Sequence, residues 1–350
     1  MTVNNRWLEL FNKVCRVLPF NLFVWLVLLL YMLPIVSMLA TAMMSTEQLS
    51  DKRSPLYPAR IVTYSYKGKD YQLYQVPLDG SVKQLALIKP GTKSSHFIDP
   101  EHPEEGPILW KGGWKTLTGV YEFHINWQNF TILFNSLPFP AMLRNTLIII
   151  LVGEVGVLVS SIICAYGFAR FSLPGGNLIF YILIATILIP DKITTLPTYF
   201  VYVIFFHWRG TIYPILLPLF FGNAVYIFLL RQNFRSIPID LEEAAMLDGA
   251  GPLRRLFSVI LPQSWPVVVT VSLLHFFYMW NETRVASLYL TTTDLTLMPI
   301  SFAVQTYQSR LPIQNVIQAG TVVILVIPVI ILFLAQRLFM QGVIVTGAEK

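Results

Sequence analysis

Arg231 to Pro266 reads RQNFRSIPIDLEEAAMLDGAGPLRRLFSVILPQSWP. It follows one charge-free run, Gly210 to Leu230, and leads into another, Leu256 to Asn281. Pro238 ends the preceding chain direction. Asp240 can cap a helix start, with Glu243 three residues on completing a capping-box-like pair. Leu241 to Leu247 are good helix formers, and Asp248-Gly249 stops them. Pro252 can open a second helix with Leu253, Leu256, Phe257 and Ile260 on one apolar face. Pro262 and Pro266 then redirect the chain. A short helix with an alanine-rich surface is expected beside the membrane. Glu243, Asp248, Arg254 and Arg255 offer charges to a partner. The residues alone leave docking to a partner and lying on the bilayer both open.

The flanking runs belong to a series. A helix crosses a bilayer with about 20 mostly apolar residues. Val17–Thr46, Phe171–Pro190, Ile193–Phe206 and Leu311–Gln336 carry no charge, and Asn145–Ala169 carries only Glu154. Six membrane helices are expected, at about 20–42, 142–169, 177–193, 212–230, 265–284 and 317–338. Composition agrees: 55% of the 350 residues are hydrophobic and 13% charged, against about 25% charged in soluble domains. The mean hydropathy is +0.59. Disorder, a coiled coil and nucleic-acid binding are excluded. A soluble enzyme would lack the charge to cover its surface. Cys15 and Cys164 are too few for a disulfide framework and read as free thiols.

Pro190-Asp191-Lys192 breaks the third run. The segment after it is too short to cross and reads as a helix in the outer interface, anchored by Tyr199, Tyr202, His207 and Trp208. Ahead of the first span, Trp7, Phe11, Val14 and Leu18 recur at helical spacing. Residues 1–19 therefore hold either a surface helix or a frayed tail. The first apolar run exceeds the h-region of a cleaved signal peptide.

Lysine and arginine in short loops set orientation. Arg6, Lys13, Arg16, Arg170, Arg231, Arg235, Arg254, Arg255, Arg337 and Lys350 fall on one side; Lys192, Arg209, Arg284 and Arg310 fall on the other. The richer side is expected to be cytoplasmic, with both termini and the 231–264 loop. Residues 43–140 then form an extracytoplasmic insert. ARIVTYSYKGKDYQLYQVPL alternates β-formers with polar residues, turns at Lys67–Asp70, turns again at Asp79-Gly80 and continues as VKQLALI. This reads as a small antiparallel sheet. Pro90–Pro107 reads as loop. Trp110, Trp114, Tyr121, Phe123, Trp127 and Phe130 read either as packing within the insert or as a surface that meets the membrane face, a partner or a sugar. Asn129-Phe130-Thr131 fits the glycosylation pattern.

The 231–266 loop resembles the EAA motif of bacterial ABC importer permeases. Glu243-Ala244-Ala245 is followed by Gly249, then by Val259, Leu261 and Pro262 at the motif's spacing, with Val in place of the usual Ile. AYGFARFSLPG (165–175), ILIPDKITTLPTYF (187–200), FLLRQNFRSIPIDLEEAAMLDGAG (228–251) and WNET (280–283) resemble the carbohydrate, maltose-type branch. The resemblance covers about 7–45 and 125–350. Nothing is carried over to the insert.

The resemblance implies an all-α polytopic membrane protein with the type I ABC importer permease fold, a 141–338 core and a 339–350 cytoplasmic tail. It implies a second permease subunit, two ATPase subunits and an extracytoplasmic solute-binding protein that delivers a carbohydrate. Leu241, Glu243, Ala244, Ala245, Met246, Asp248, Gly249, Arg254 and Arg255 would meet the ATPase. No GxxxxGK[ST] occurs, and Gly112-Gly113-Trp114-Lys115-Thr116 is not one, so ATP would be bound by the partner subunits. No cofactor or metal is expected in this chain.

Glu154 is the one acid well inside a span. Its charge would cost on the order of 3 kcal/mol at the bilayer centre. It should face the bundle interior, as a wall of the solute path or a structural hydrogen bond. Gly153 and Gly156 would let another segment approach. Tyr278, Trp280, Asn281 and Glu282 could stack on a sugar and bind its hydroxyls, or form an aromatic belt. Asn223 and Tyr226 are further solute-path candidates. His275 reads as a packing residue, and Glu154 and His275 are expected to stand alone. That isolation argues against a polytopic membrane enzyme. A sensor using the insert would need a cytoplasmic output domain, and the tail is too short for one.

Overall fold

The computed structural model describes residues 3–78, 81–290, 294–302, 305, 308 and 313–347, with side chains among residues 18–336 except Asp191. Contacts divide the chain into two units, residues 1–133 with 312–322, and residues 134–311 with 323–350. The side chains of Arg6, Trp7, Phe11, Lys13, Val14, Cys15, Arg16 and Arg337, and residues Arg310 and Lys350, lie outside the described ones.

The first unit begins with one continuous helix, Val3–Ala42. No break separates a surface helix from the span. From Leu18 to Ala42 it is apolar and largely exposed, as a lipid-facing span is. Its end is tied down by amides. Asn129 Nδ2 donates to the carbonyls of Ala42 and Met44, each at 2.8 Å. Asn315 Nδ2 donates to Asn129 Oδ1 at 2.8 Å and to the Met44 carbonyl at 3.1 Å. Both asparagines are 2% exposed, so Asn129 is not presented for glycosylation. Asn129→Ala would leave the Ala42 carbonyl unmet and take one bond each from the Met44 carbonyl and Asn315, at a cost of about 2–3 kcal/mol. Thermal unfolding of the purified chain in detergent should fall accordingly; an unchanged midpoint would contradict the latch.

Between these anchors lies the β-structure. A six-stranded antiparallel sheet has the order β2 (Thr63–Tyr66), β3 (Lys69–Leu78), β4 (Ser81–Lys89), β5 (Ser94–Ile98), β6 (Ile108–Lys111), with β7 (Thr118–Gly119) also on β3. β1 (Ala59–Ile61) pairs with β8 (Tyr121–Phe123). Lys67 and Gly68 both have positive φ, 52° and 76°. The two-residue hairpin that closes Tyr66 on Lys69 requires this backbone. Leu78 pairs with Ser81; the Asp79-Gly80 turn itself lies outside the described residues.

The 90–107 stretch is not all loop, because β5 runs through it. Phe97 and Ile98 point to opposite faces and both are fully buried. Their short apolar run sits among Pro, Gly and acids, which hide it from composition. Trp110 and Trp114 pack edge-on against Phe97 and Tyr74. Phe123 and Trp127 stay exposed. Tyr121 donates to Asp51 Oδ2 at 2.7 Å. Burial, that bond and the Asp51 charge hold its phenol well above the usual range.

The second unit supplies most of the long helices. Among the described residues, five helices in the whole chain are long and apolar enough to cross a membrane: 18–42, 139–170, 213–236, 252–280 and 314–336. A bent pair, 176–188 and 192–205, makes a sixth if counted as one span. Its 95° bend falls at Ile189-Pro190-Asp191, where proline lacks a backbone donor. After it, Tyr199 and Tyr202 stack with Tyr289 and Trp208. The core of this unit gathers Val157, Ala165, Tyr166, Ile227, Leu230, Phe234, Leu256, Ile260 and Val271 from three helices. This core holds both ends of the 231–266 loop.

Candidate functional site

The loop helix is Ile239–Leu247. It starts directly after Pro238, so Asp240 lies inside its first turn and makes no capping bond. The capping box with Glu243 does not form. Acids in that turn still favour the positive end of the helix dipole.

The other end is closed by backbone geometry. Gly249 N–H donates to Met246 O, and Ala250 N–H donates to Ala245 O, each at 2.9 Å. These are the two bonds of a Schellman motif. They need a left-handed residue, and Gly249 has φ +80°. A Cβ there would meet nothing within 4 Å. The requirement for glycine is therefore conformational and not one of space.

The second helix opens at Pro252 as expected, but it does not stop. Pro252–Arg255, a π-helical stretch Leu256–Ile260, and Leu261–Trp280 form one 29-residue helical run. Pro262 and Pro266 do not redirect the chain. Leu261 N–H reaches back to Leu256 O, so Pro262 follows a turn whose hydrogen-bond ladder is already shifted.

Along this loop Leu241, Glu243, Ala244, Met246, Leu247, Asp248, Gly249 and Arg254 are exposed, while Ala245 and Arg255 are half-buried. Leu247 is 91% exposed. The helix turns a mixed apolar and acidic face outward. Glu242 faces the other way and is the one buried residue of the helix. Its carboxylate pairs with Arg170 Nε, the last residue of the Phe139–Arg170 helix, and both side chains are nearly covered. Tyr166 Oη donates to Glu242 Oε2 at 3.1 Å. Arg170 Nη2 also donates to the Ile237 carbonyl at 2.7 Å.

Sequence reasoning missed this anchor. Arg170 counted only toward orientation, and Glu242 only as a helix former beside Glu243. One signal was available: of two adjacent glutamates on a short helix, one must turn toward the body.

The in-span candidates do not form one group. Trp280 is 1% exposed and stacks on Phe276 inside the fold. Tyr278 and Asn281 are exposed, and Asn281 donates to the Phe277 carbonyl. Glu282 Oε1 accepts from Val285 N–H, capping the helix that follows. Asn223 Oδ1 accepts from Val225 N–H at 2.9 Å and is the N-cap of Ala224–Ser236.

Among the described residues neither the Glu154 carboxylate nor His275 Nε2 has a hydrogen-bond partner, yet Tyr226 lies beside both. Tyr226 packs edge-on against His275, with ring centroids 5.9 Å apart. Tyr226 also interacts electrostatically with Glu154, beside which Ser272 stands. Gly153 and Gly156 admit Leu219 and Phe220. A polar group thus forms inside the unit from three separate helices. Among the described residues, no three His, Cys, Asp or Glu side chains meet at one point.

Known proteins show the family and the fold. The family model described as "Binding-protein-dependent transport system inner membrane component" matches residues 127–345, well over half of the chain. The sn-glycerol-3-phosphate transport system permease protein UgpE of Yersinia pestis bv. Antiqua is 29% identical over 225 residues, covering 62% of this chain and 79% of that protein. The probable ABC transporter permease protein PH1036 of Pyrococcus horikoshii is 26% identical over 244 residues, covering 66% and 84%. In fold, the chain resembles one in the crystal structure of a bacterial ABC transporter involved in the import of the acidic polysaccharide alginate. The TM-score is 0.62 and the identity 18%, over 96% of this chain and 98% of that one. A chain in a second structure, of a bacterial alginate ABC transporter in complex with an alginate pentasaccharide-bound periplasmic protein, matches with TM-score 0.50 and 17% identity over 61% and 84%. The apolar helices and the family match together place this chain among the multi-pass inner-membrane components of binding-protein-dependent transport systems.

Proposed function

We propose that this permease serves an ABC importer for a carbohydrate and forms half of the solute pathway with a second permease subunit. Two separate ATPase subunits bind and hydrolyse ATP, and a solute-binding protein delivers the cargo. The observation that carries this reading is the outward face of the 239–249 helix and turn. It presents Leu241, Glu243, Ala244, Met246, Asp248 and Gly249 on a backbone held from behind. Ala245 and Arg255 support that face, and Arg254 flanks it. The carbohydrate assignment draws on relatives that handle a polyol phosphate and an acidic polysaccharide.

The loop and both termini lie in the cytoplasm, on the side with ten of the Lys and Arg residues in short loops. The β-rich insert is then extracytoplasmic. Lys67, Lys69, Lys89, Lys93 and Lys111 stand at one end of its sheet with Asp70 among them, and Glu101, Glu104 and Glu105 follow the other end, where Lys83 pairs with the buried Asp99. This polarity suits contact with a charged protein surface, on the solute-binding protein or the sister permease. Glu154, Tyr226 and His275 form the polar wall that solute hydroxyls would meet.

Thermal-shift measurements on the cognate solute-binding protein test the cargo class. Neutral saccharides, acidic oligosaccharides and sn-glycerol 3-phosphate are the probes. Stabilisation by at least one of them is expected. Stabilisation by amino acids or peptides alone would contradict a carbohydrate importer.

A further inference from the structure

The 239–247 helix has little apolar grip on the body of the protein. Its one buried residue is charged. Such a helix cannot be held by hydrophobic packing, whose strength scales with buried apolar area. What holds it is a joint of three polar contacts. Arg170 pairs with Glu242 and donates to Ile237 O, just ahead of the helix; Tyr166 donates to the same carboxylate. Arg170 and Tyr166 both come from the cytoplasmic-side end of the 139–170 helix, one turn apart. Arginine is suited to this place, because its planar fork can bond a carboxylate and a carbonyl at once. It also sits at a helix C-terminus, where the dipole favours a cation. Arg231 adds a tie to the same end: its Nε donates to Phe168 O at 3.2 Å, and its guanidinium lies 3.9 Å from the Phe180 ring centre.

We infer that Arg170 and Glu242, oriented by Tyr166, are positioning residues that make the 239–247 helix one rigid body with the 139–170 span. This rests on the reading of that helix as the ATPase contact. Movement of an attached ATPase is then delivered to the span carrying Glu154. Without the joint, the helix would swing on the chain at Pro238 and Gly249, and hydrolysis would run without moving the span.

The test uses the assembled transporter in nanodiscs, in a C15A/C164A background. Spin labels at Leu247→Cys and Val159→Cys report the distance between the loop helix and the span, before and after trapping with ATP and vanadate. The unsubstituted joint should give a narrow distribution that trapping does not move. R170K keeps the charge but loses the fork, and E242Q keeps the shape but loses the charge. Each should broaden or shift the distribution while ATP hydrolysis persists. Distributions as narrow as the unsubstituted one would overturn the inference. Only assembled complex is measured, so low yield does not mask the result. If neither variant assembles, the volume-matched apolar pair R170M/E242L is measured in the same way. A parallel cross-link from Ala244→Cys to the ATPase checks the underlying reading. Its absence in the unsubstituted background would remove that reading and this inference together. Its presence with an unmoved distribution in the variants would overturn the rigid joint alone.

Discussion

Gly249→Val should abolish uptake while leaving the chain in the membrane at normal abundance. The backbone at Gly249 is left-handed, at φ +80°. An L-residue there costs roughly 1–2 kcal/mol, and a β-branched one is a genuine outlier. The chain relieves this by giving up the two bonds from Gly249 and Ala250 that close the helix. The last turn, with Met246, Leu247 and Asp248, then loses its shape. Because a Cβ meets nothing within 4 Å, the side chain's size does not set the effect. Backbone tolerance does. Asn and Asp visit the left-handed region more readily, so Gly249→Asn should retain part of the uptake, Gly249→Asp less, and Gly249→Val none. Uptake and ATPase co-purification across the three variants check this order. An order that follows side-chain volume instead would contradict the Schellman turn.

Arg170→Ala should have the largest effect on stability. It leaves the Glu242 carboxylate buried without its cation, and loss of one partner from a buried pair costs about 3–5 kcal/mol. The Ile237 carbonyl loses its donor as well. Membrane abundance of the single variant should drop sharply. The apolar double variant Arg170→Met with Glu242→Leu removes both charges and should recover most of it. Uptake should remain low in that double variant, because abundance and positioning are separate properties of the pair. Fluorescence-detected size-exclusion profiles and uptake assays measure the two. Equal abundance for Arg170→Ala and the unsubstituted chain would show that the pair contributes little.

Much of this structure is legible in the sequence, and the exceptions have physical causes. Charge-free runs located the membrane helices, because lipid excludes ionised groups over long stretches. The helix ends were harder. Pro262 and Pro266 suggested a break, yet the π-helical stretch Leu256–Ile260 carries the helix past them; that stretch has no composition signal. β5 was hidden among loop-forming residues, although Phe97 and Ile98 fill both faces of the sheet. The loop helix and its terminating glycine were readable from spacing alone.

The residues that hold the loop were not readable, because Arg170 and Glu242 are far apart in the chain and each has an ordinary local explanation. The same holds for Glu154, Tyr226 and His275, which three helices bring to one place. WNET at 280–283 misled in the opposite direction. Its aromatic and amide residues suggest a sugar platform, but Trp280 turns into the core and Glu282 caps the next helix.

On the proposed reading, the 239–249 segment is the surface on which the ATPase acts. Single cysteines along it, cross-linked to the partner ATPase in the assembled transporter, test this most directly. Cysteines replacing the exposed Leu241, Ala244, Leu247 and Asp248 should cross-link, and one replacing the buried Glu242 should not. Cross-links that are absent from all four exposed positions, or as strong at 242 as at 244, would contradict the claim.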